Sequence, residues 1–233
     1  MPVVGIGHRH KEGHTVSIRI NDIAPDFTAD SNAGKLSLYY WIGDSYAILF
    51  SHPKDFTPVC TTEFGAVAQL APEFAKRKTK VMGVSVDDVE AHKKWQRDIE
   101  TFCGVPADFP IIDDTSLKVS KLYNMLPADA YLPDGRTPAD TATVRTVFII
   151  GPDKKVRLTM SYPMSVGRNF AEILRALDAV QATDGVPIAT PANWVPGQDV
   201  IVALSLNNDQ AKEKFGQIDV KLPYLRFTKA PKK

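Results

Sequence analysis

The chain has 233 residues, 44% of them hydrophobic, which is enough to bury a substantial core in one domain with an appendage. A formal net charge of +1, with basic residues scattered rather than massed, gives no electrostatic case for nucleic acid. No run approaches the roughly 18 apolar residues a membrane span needs, and two cysteines in the whole chain exclude a secreted scaffold built on disulfides.

In chain order, the first residues, Met1-Pro2-Val3-Val4-Gly5-Ile6-Gly7-His8-Arg9-His10, lack the longer apolar stretch and small-residue cleavage site of a secretory signal, so the expected location is cytoplasmic. His8, His10 and His14 lie in a polar segment with no cysteine or carboxylate constellation around them. They read as part of a mobile N-terminal extension (residues 1–17) rather than as a metal site, and no metal or cofactor is expected. Residues 46–51 form an apolar strand. Phe64, Val67, Ala68, Ala71, Phe74 and Ala75 then recur at helical spacing, and residues 81–86 read as the next strand. Asp87 and Asp88 offer a cap for a helix running through Trp95 towards Thr101. A short strand at 109–112 and a helix over 116–126 follow. Residues 144–150 and 156–160 read as a hairpin turning at Gly151-Pro152-Asp153-Lys154, and residues 167–182 as a last long helix. Beyond Ala182 the composition shifts to Gly185, Pro187, Pro191, Pro196 and Gly197. This marks a linker into a smaller unit, residues 183–233, that holds 200–206 and 209–215. Strands alternating with helices and ending in a hairpin and helix predict an α/β sandwich on a mixed sheet over residues 18–182.

One position stands out chemically. Cys60 lies where the strand over 46–51 has ended and the helix begins, so unpaired backbone N–H groups and the positive end of the helix dipole favour its thiolate, the nucleophilic form. Thr57 brings a hydroxyl near the sulfur, Pro58 stiffens the turn, and Glu63 places a carboxylate in what reads as the first helical turn.

The segment Phe50-Ser51-His52-Pro53-Lys54-Asp55-Phe56-Thr57-Pro58-Val59-Cys60-Thr61-Thr62-Glu63 closely resembles the peroxidatic motif of the peroxiredoxins, and the His after Ser51 is similar to the one-cysteine subfamily. The resemblance continues in order through Phe109-Pro110-Ile111-Ile112-Asp113-Asp114, Arg145, Gly151-Pro152-Asp153-Lys154-Lys155, Tyr162-Pro163, Gly167-Arg168-Asn169-Phe170 and Ala189-Thr190-Pro191-Ala192-Asn193-Trp194. It implies a thioredoxin-like fold with a small C-terminal α+β arm that packs across a homodimer or a higher oligomer. The implied activity is reduction of hydroperoxides, in which the Cys60 thiolate attacks the distal oxygen and becomes a sulfenic acid. Thr57 would align peroxide and sulfur, Pro53 would shield the pocket from water, and Arg145 would supply a fixed positive charge. His52, Glu63 and Arg168 would support that set, the last two by orienting Arg145.

The second cysteine, Cys103, follows the helix ending at Phe102, and no cysteine lies after it where two-cysteine relatives keep a C-terminal resolving thiol. Cys103 therefore reads as incidental. The sulfenic acid then needs an outside reductant such as glutathione, ascorbate or a thioredoxin-type dithiol. Two other function classes stay open at this level: a peroxide sensor or chaperone using Cys60 only as a switch, and a hydrolase using Ser45. Some relatives carry a lipase-like G-x-S-x-G, whereas Gly43-Asp44-Ser45-Tyr46-Ala47 has Ala47 for the second glycine and Tyr39 where those relatives have a His. Ser45 and Asp153 are thus left without a base.

Overall fold

The computed structural model of the chain describes residues 17–132, 137 and 140–231. His8, His10 and His14 lie outside the described residues. A short hairpin, β1 (Thr28–Ala29) with β2 (Leu36–Ser37), runs into helix α1 (Leu38–Ile42). Next come β3 (Tyr46–Ser51), the long helix α2 (Pro58–Lys76), β4 (Thr79–Ser85), α3 (Val89–Cys103), β5 (Ile111–Asp113) and the short α4 (Lys118–Leu122). The pair β6 (Arg145–Ile150) and β7 (Val156–Tyr162) leads into α5 (Phe170–Thr183). The C-terminal part holds β8 (Ile188–Ala189), β9 (Val200–Val202), α6 (Asn208–Phe215), β10 (Ile218–Leu222) and β11 (Leu225–Thr228).

The central sheet has five strands in the order β5-β4-β3-β6-β7. β3, β4 and β5 run parallel, while β6 is antiparallel to both β3 and β7, so the sheet is mixed. Side chains alternate across it. Ile48, Phe50, Val147 and Ile149 point into a core shared with Phe64, Val67, Phe74, Trp95, Ile173 and Leu177 from α2, α3 and α5. Ala47, Leu49, Phe148 and Ile150 point the other way, towards Leu38, Ile42, Val119 and Tyr123. Both faces are covered, which is why β3 reads as an unbroken apolar run instead of an alternating one. This is the thioredoxin-like arrangement, and the C-terminal arm adds a separate antiparallel sheet in the order β10-β11-β9-β8.

Several boundaries differ from the sequence reading. The stripe on α2 is carried by Cys60, Glu63, Phe64, Gly65, Val67, Ala68 and Phe74, whereas Ala71 and Ala75 are exposed. The helix expected over 116–126 contracts to α4. Leu117 takes a left-handed backbone (φ 58°) ahead of it, and Tyr123 ends it just before Asn124 turns left-handed as well (φ 54°). Asp114 caps this short turn, accepting from the Val119 and Ser120 amides at 2.9 and 2.6 Å. The strand expected at 109–112 begins only at Ile111, because Asn32 binds the Phe109 carbonyl and the Ile111 amide there. α5 begins at Phe170, not Gly167: the Asn169 side chain accepts from the amides of Ala171 and Glu172 and sets its start. Within 200–206 only Val200–Val202 is strand, and the hairpins β1–β2 and β10–β11 were not foreseen.

Two glycines let these layers close on the site helix. Gly83 on β4 would place a Cβ 2.8 Å from the Phe64 ring. Gly65 on α2 would place one 3.1 Å from both Cys103 and Phe102. Each close approach presses α2, and hence its N-terminus, against a neighbouring element.

Candidate active site

β3 ends at Ser51 and a loop of residues 52–57 turns the chain into α2, where Thr57 occupies the N-cap position and Pro58 the first turn. Cys60 is the third helical residue and is fully buried. Its position was legible. The roles of its neighbours were less so. Thr57 does not cap the helix with its side chain: its hydroxyl donates to the Lys54 carbonyl at 2.9 Å, and its own carbonyl accepts from the Thr61 amide. The hydroxyl oxygen thereby keeps its lone pairs for a further donor. Pro53 is buried in the same loop.

Arg145, the first residue of β6, crosses to this helix. Its Nη1 lies 3.3 Å from Cys60 Sγ and 2.7 Å from Glu63 Oε2, and its Nε donates to the Met164 carbonyl at 2.8 Å. Glu63 sits in the second turn of α2, one turn deeper than expected, so its carboxylate serves the arginines and not the helix dipole. Arg168 closes the set. Its Nε and Nη2 meet Glu63 Oε1 and Oε2 at 2.9 and 2.7 Å, a bidentate pair, while its backbone amide also donates to Oε1. The guanidinium of Arg168 lies over the Phe50 and Phe170 rings, 5.0 and 5.5 Å from their centroids.

The electrostatics follow from this geometry. Burial alone would raise the Glu63 pKa, but the hydrogen bonds and charge of Arg168, joined by Arg145, outweigh burial and hold it below the ordinary 4.5. One buried carboxylate thus faces two guanidiniums, leaving a net positive charge beside Cys60. Such a site stabilises a thiolate and any negative charge that develops on an oxygen drawn up to it.

A cluster that the sequence reading missed lies behind the loop. Asp55 is buried and accepts from His52 Nε2 at 2.7 Å and from His92 Nδ1 at 2.6 Å. Its backbone amide donates to Asp87 at 2.8 Å, and the Ser85 hydroxyl lies within reach of both carboxylates, 3.0 Å from Asp87 and 3.3 Å from Asp55. His52 is therefore present near the site but turned towards Asp55 by its Nε2. His92 had a readable signal: with Trp95 and Ile99 it repeats at helical spacing on the buried face of α3.

The remaining candidates stand apart. Cys103 is half-buried at the end of α3 beside Gly65, five residues or about 7.5 Å of helix rise along α2 from Cys60. Its thiol donates to the Val105 carbonyl, and no disulfide forms between the two cysteines. Ser45 lies in the turn before β3. Tyr39 donates its hydroxyl to the Ala24 carbonyl, and Asp153 is paired with Arg157 at 3.0 Å, so both are engaged elsewhere.

Glu63→Gln should lower the unfolding free energy by about 3–5 kcal/mol, because it leaves two buried guanidiniums without their carboxylate. Urea denaturation measures this. A carboxylate held below its ordinary pKa contributes stability above about pH 4.5 and loses it as pH falls through the lower folded value, so wild-type melting temperature should drop more steeply on acidification than that of the variant.

Comparisons with known proteins agree with this geometry. The AhpC/TSA family profile matches residues 20–159, and the profile for the C-terminal domain of 1-Cys peroxiredoxin matches residues 179–217. The chain is 50% identical over 223 residues to the mitochondrial peroxiredoxin PRX1 of Saccharomyces cerevisiae, covering 94% of this chain and 84% of that one. A solved structure of a yeast mitochondrial 1-Cys peroxiredoxin, concerned with its thiol resolving mechanism via glutathione/thioredoxin systems, is 52% identical. It superposes with a TM-score of 0.83 over 91% of this chain and 99% of that one. The peroxiredoxin 6 of Arenicola marina is 42% identical with a TM-score of 0.86, over 93% of this chain and 100% of that one. The chain belongs to the AhpC/TSA family, in its one-cysteine peroxiredoxin branch, and is a thiol peroxidase.

Proposed function

We propose that Cys60 is the peroxidatic nucleophile, and the observation that carries this reading is the 3.3 Å contact between its sulfur and Arg145 at the start of α2. The thiolate attacks the distal oxygen of a hydroperoxide, the O–O bond breaks, and the departing alkoxide or hydroxide takes up a proton to leave as alcohol or water. Cys60 is left as the sulfenic acid. Arg145 holds the charge that passes from sulfur to the leaving oxygen. Thr57, whose hydroxyl is already oriented by the Lys54 carbonyl, lines up peroxide and sulfur, and Pro53 keeps water out. Glu63 and Arg168 fix the Arg145 guanidinium in this pose.

Cys103 is read as taking no part in turnover, which leaves an external thiol to recycle the enzyme. One thiol condenses with the sulfenic acid, releasing water and forming a mixed disulfide. A second thiol then frees Cys60. The yeast relative's glutathione/thioredoxin systems make glutathione and a thioredoxin-type dithiol the donors of choice, ahead of ascorbate. Repeated turnover with such a donor separates this reading from a peroxide sensor or chaperone, which needs only a single oxidation. The cytoplasmic location expected from the sequence is not carried further, because the yeast relative is mitochondrial. Among the described residues no helix is long and apolar enough to cross a membrane.

The arm over 183–233 is read as a dimer contact. It exposes Val195, Leu204, Val220, Leu222 and Tyr224, an apolar set that a second copy would cover. Sedimentation of the purified chain as a dimer, and as a monomer after residues 204, 222 and 224 are made polar, is the expected result.

In a coupled assay with glutathione or a thioredoxin system, Cys60→Ser should abolish peroxide consumption while circular dichroism stays native. Arg145→Ala should slow the reaction by about 2.7–4 kcal/mol of barrier, the range for removing one preorganised anion-stabilising donor. Substantial turnover in Cys60→Ser would sink the mechanism. Without reductant, graded peroxide should add two and then three oxygens to Cys60, since no resolving thiol traps the sulfenic acid. Peptide mass spectrometry should find Cys103 largely unmodified. A dominant Cys60–Cys103 disulfide would overturn the one-cysteine assignment.

A further inference from the structure

The cluster behind the catalytic loop has a definite charge distribution. Both ring nitrogens of His92 face acceptors: Nδ1 lies 2.6 Å from Asp55 Oδ2, and Nε2 lies 3.1 Å from the Ile112 carbonyl on β5. A neutral imidazole has one N–H and would leave one of these acceptors facing a lone pair. His92 satisfies both only as the imidazolium. His52 differs. Its Nε2 donates to Asp55 Oδ1, and its Nδ1 is one of two buried side-chain nitrogens or oxygens without a hydrogen-bond partner among the described residues. A second imidazolium would bury an unsatisfied N–H, so His52 is neutral. The pair that matters is therefore Asp55 with His92, both buried, beside His52, on which the rings of Trp95 and Phe64 pack.

Asp55 is bound to a loop under strain. Phe56, directly between Asp55 and Thr57, adopts φ 54°, a left-handed backbone that costs a non-glycine residue on the order of 1–2 kcal/mol. Phe56 is also half exposed, so packing of its own ring does not hold that conformation. What holds it is the anchor on one side, Asp55 on His92, His52 and Asp87, and the helix start on the other. The strained residue sets where Thr57 and the first turn of α2 point.

We propose that His92 is a positioning residue for peroxide reduction: as a buried imidazolium it clamps Asp55, and through the strained Phe56 it fixes Thr57 and the N-terminus of α2 relative to Arg145. This rests on the reading of Cys60 and Thr57 above. The titratable groups facing His92 are Asp55 from the loop and Asp87 from the turn after β4, with His52 beyond Asp55. β5 presents the Ile112 carbonyl, and its Asp113 binds the Val89 amide at the start of α3. Burial alone would lower the His92 pKa, but the hydrogen bond and charge of Asp55 outweigh it and raise the value above 6.5. Asp55 moves the opposite way, down to about 2, as its hydrogen bonds to His52 and His92 overcome burial. A histidine whose pKa is raised in the folded state supports the clamp fully below about 6.5 and loses it as pH rises through the raised value.

The test is the pH profile of Cys60 oxidation by hydrogen peroxide, followed in stopped flow through the fluorescence of Trp95 and its neighbours, from about pH 5 to 10. The rate constant in wild type should fall on the alkaline side, with the fall tracking loss of the His92 proton seen by NMR of the ¹⁵N-labelled imidazole. His92→Gln should be roughly 10- to 100-fold slower near neutrality and lack the alkaline fall. The loss in peroxide rate should exceed any change in its alkylation by iodoacetamide, which needs the thiolate but not the peroxide geometry, a split that general unfolding would not produce. A neutral His92 at about pH 7 in wild type, read by NMR whether or not the variant folds, would overturn the clamp. So would a His92→Gln enzyme with wild-type rate and profile. If Cys60→Ser retained turnover, the failure would belong to the catalytic assignment instead.

Discussion

The site depends on one buried carboxylate. Glu63 receives Arg145 on one oxygen and chelates Arg168 through both, so two guanidiniums that would repel each other are held side by side. Burying three charges together is tolerable only because nearly every donor is matched: Arg145 Nε reaches the Met164 carbonyl and Arg168 Nη1 the Thr146 carbonyl. The excess of one positive charge is what the sulfur of Cys60 meets. A carboxylate on the exposed face of α2 would give the helix a small dipole benefit. Placed one turn deeper and inward, it organises the chemistry.

The fold exists, from the site's point of view, to bring three distant segments to that carboxylate. β3 and β6 are adjacent in the central sheet, so the start of α2 and the start of β6 emerge near each other although Cys60 and Arg145 are far apart in sequence. Arg168 arrives on the segment before α5, whose first turn is fixed by Asn169. Rigid elements thus carry Cys60 and Arg145, while the loop of residues 52–57 carries Thr57 and Pro53 and needs its own anchor. Asp55 provides it.

How much of this was legible in the sequence depended on the range of the interaction. Helical periodicity located α2, unbroken apolar runs located β3 and β6 because both faces of the sheet are covered, a capping aspartate pointed to α3, and the helix-start position of Cys60 followed from local punctuation. Short elements failed for a local reason of a different kind: α4 is set by left-handed backbone at Leu117 and Asn124, and nothing in those side chains demands it. The link between Glu63 and Arg168 came from family resemblance, since neither residue's surroundings betray a partner more than a hundred positions away. Asp55 was invisible altogether. A single acidic residue in a polar loop has the composition of solvent-exposed chain, and only the tertiary packing of α3 against α2 turns it into a buried anchor.

The same burial that assembles the site limits how the sulfur of Cys60 can be reached. Cys60 is fully buried, so a small peroxide meets less obstruction on the way to its sulfur than a bulky thiol does. Forming a mixed disulfide requires an S–S bond of about 2.05 Å with a defined torsion, so the incoming sulfur must reach inside the contact distance now occupied by the loop and the first turn of α2. On the recycling proposed above, glutathione or a protein dithiol would do this only if those segments moved after oxidation. The loop's backbone is strained at Phe56 and tied by polar contacts at Asp55, while His52 also packs on the Phe64 and Trp95 rings. On that reading, strain balanced by a polar anchor would let one segment be rigid for the peroxide step and yielding for the thiol step. An anchor made of packed aliphatic side chains would serve the first step and obstruct the second.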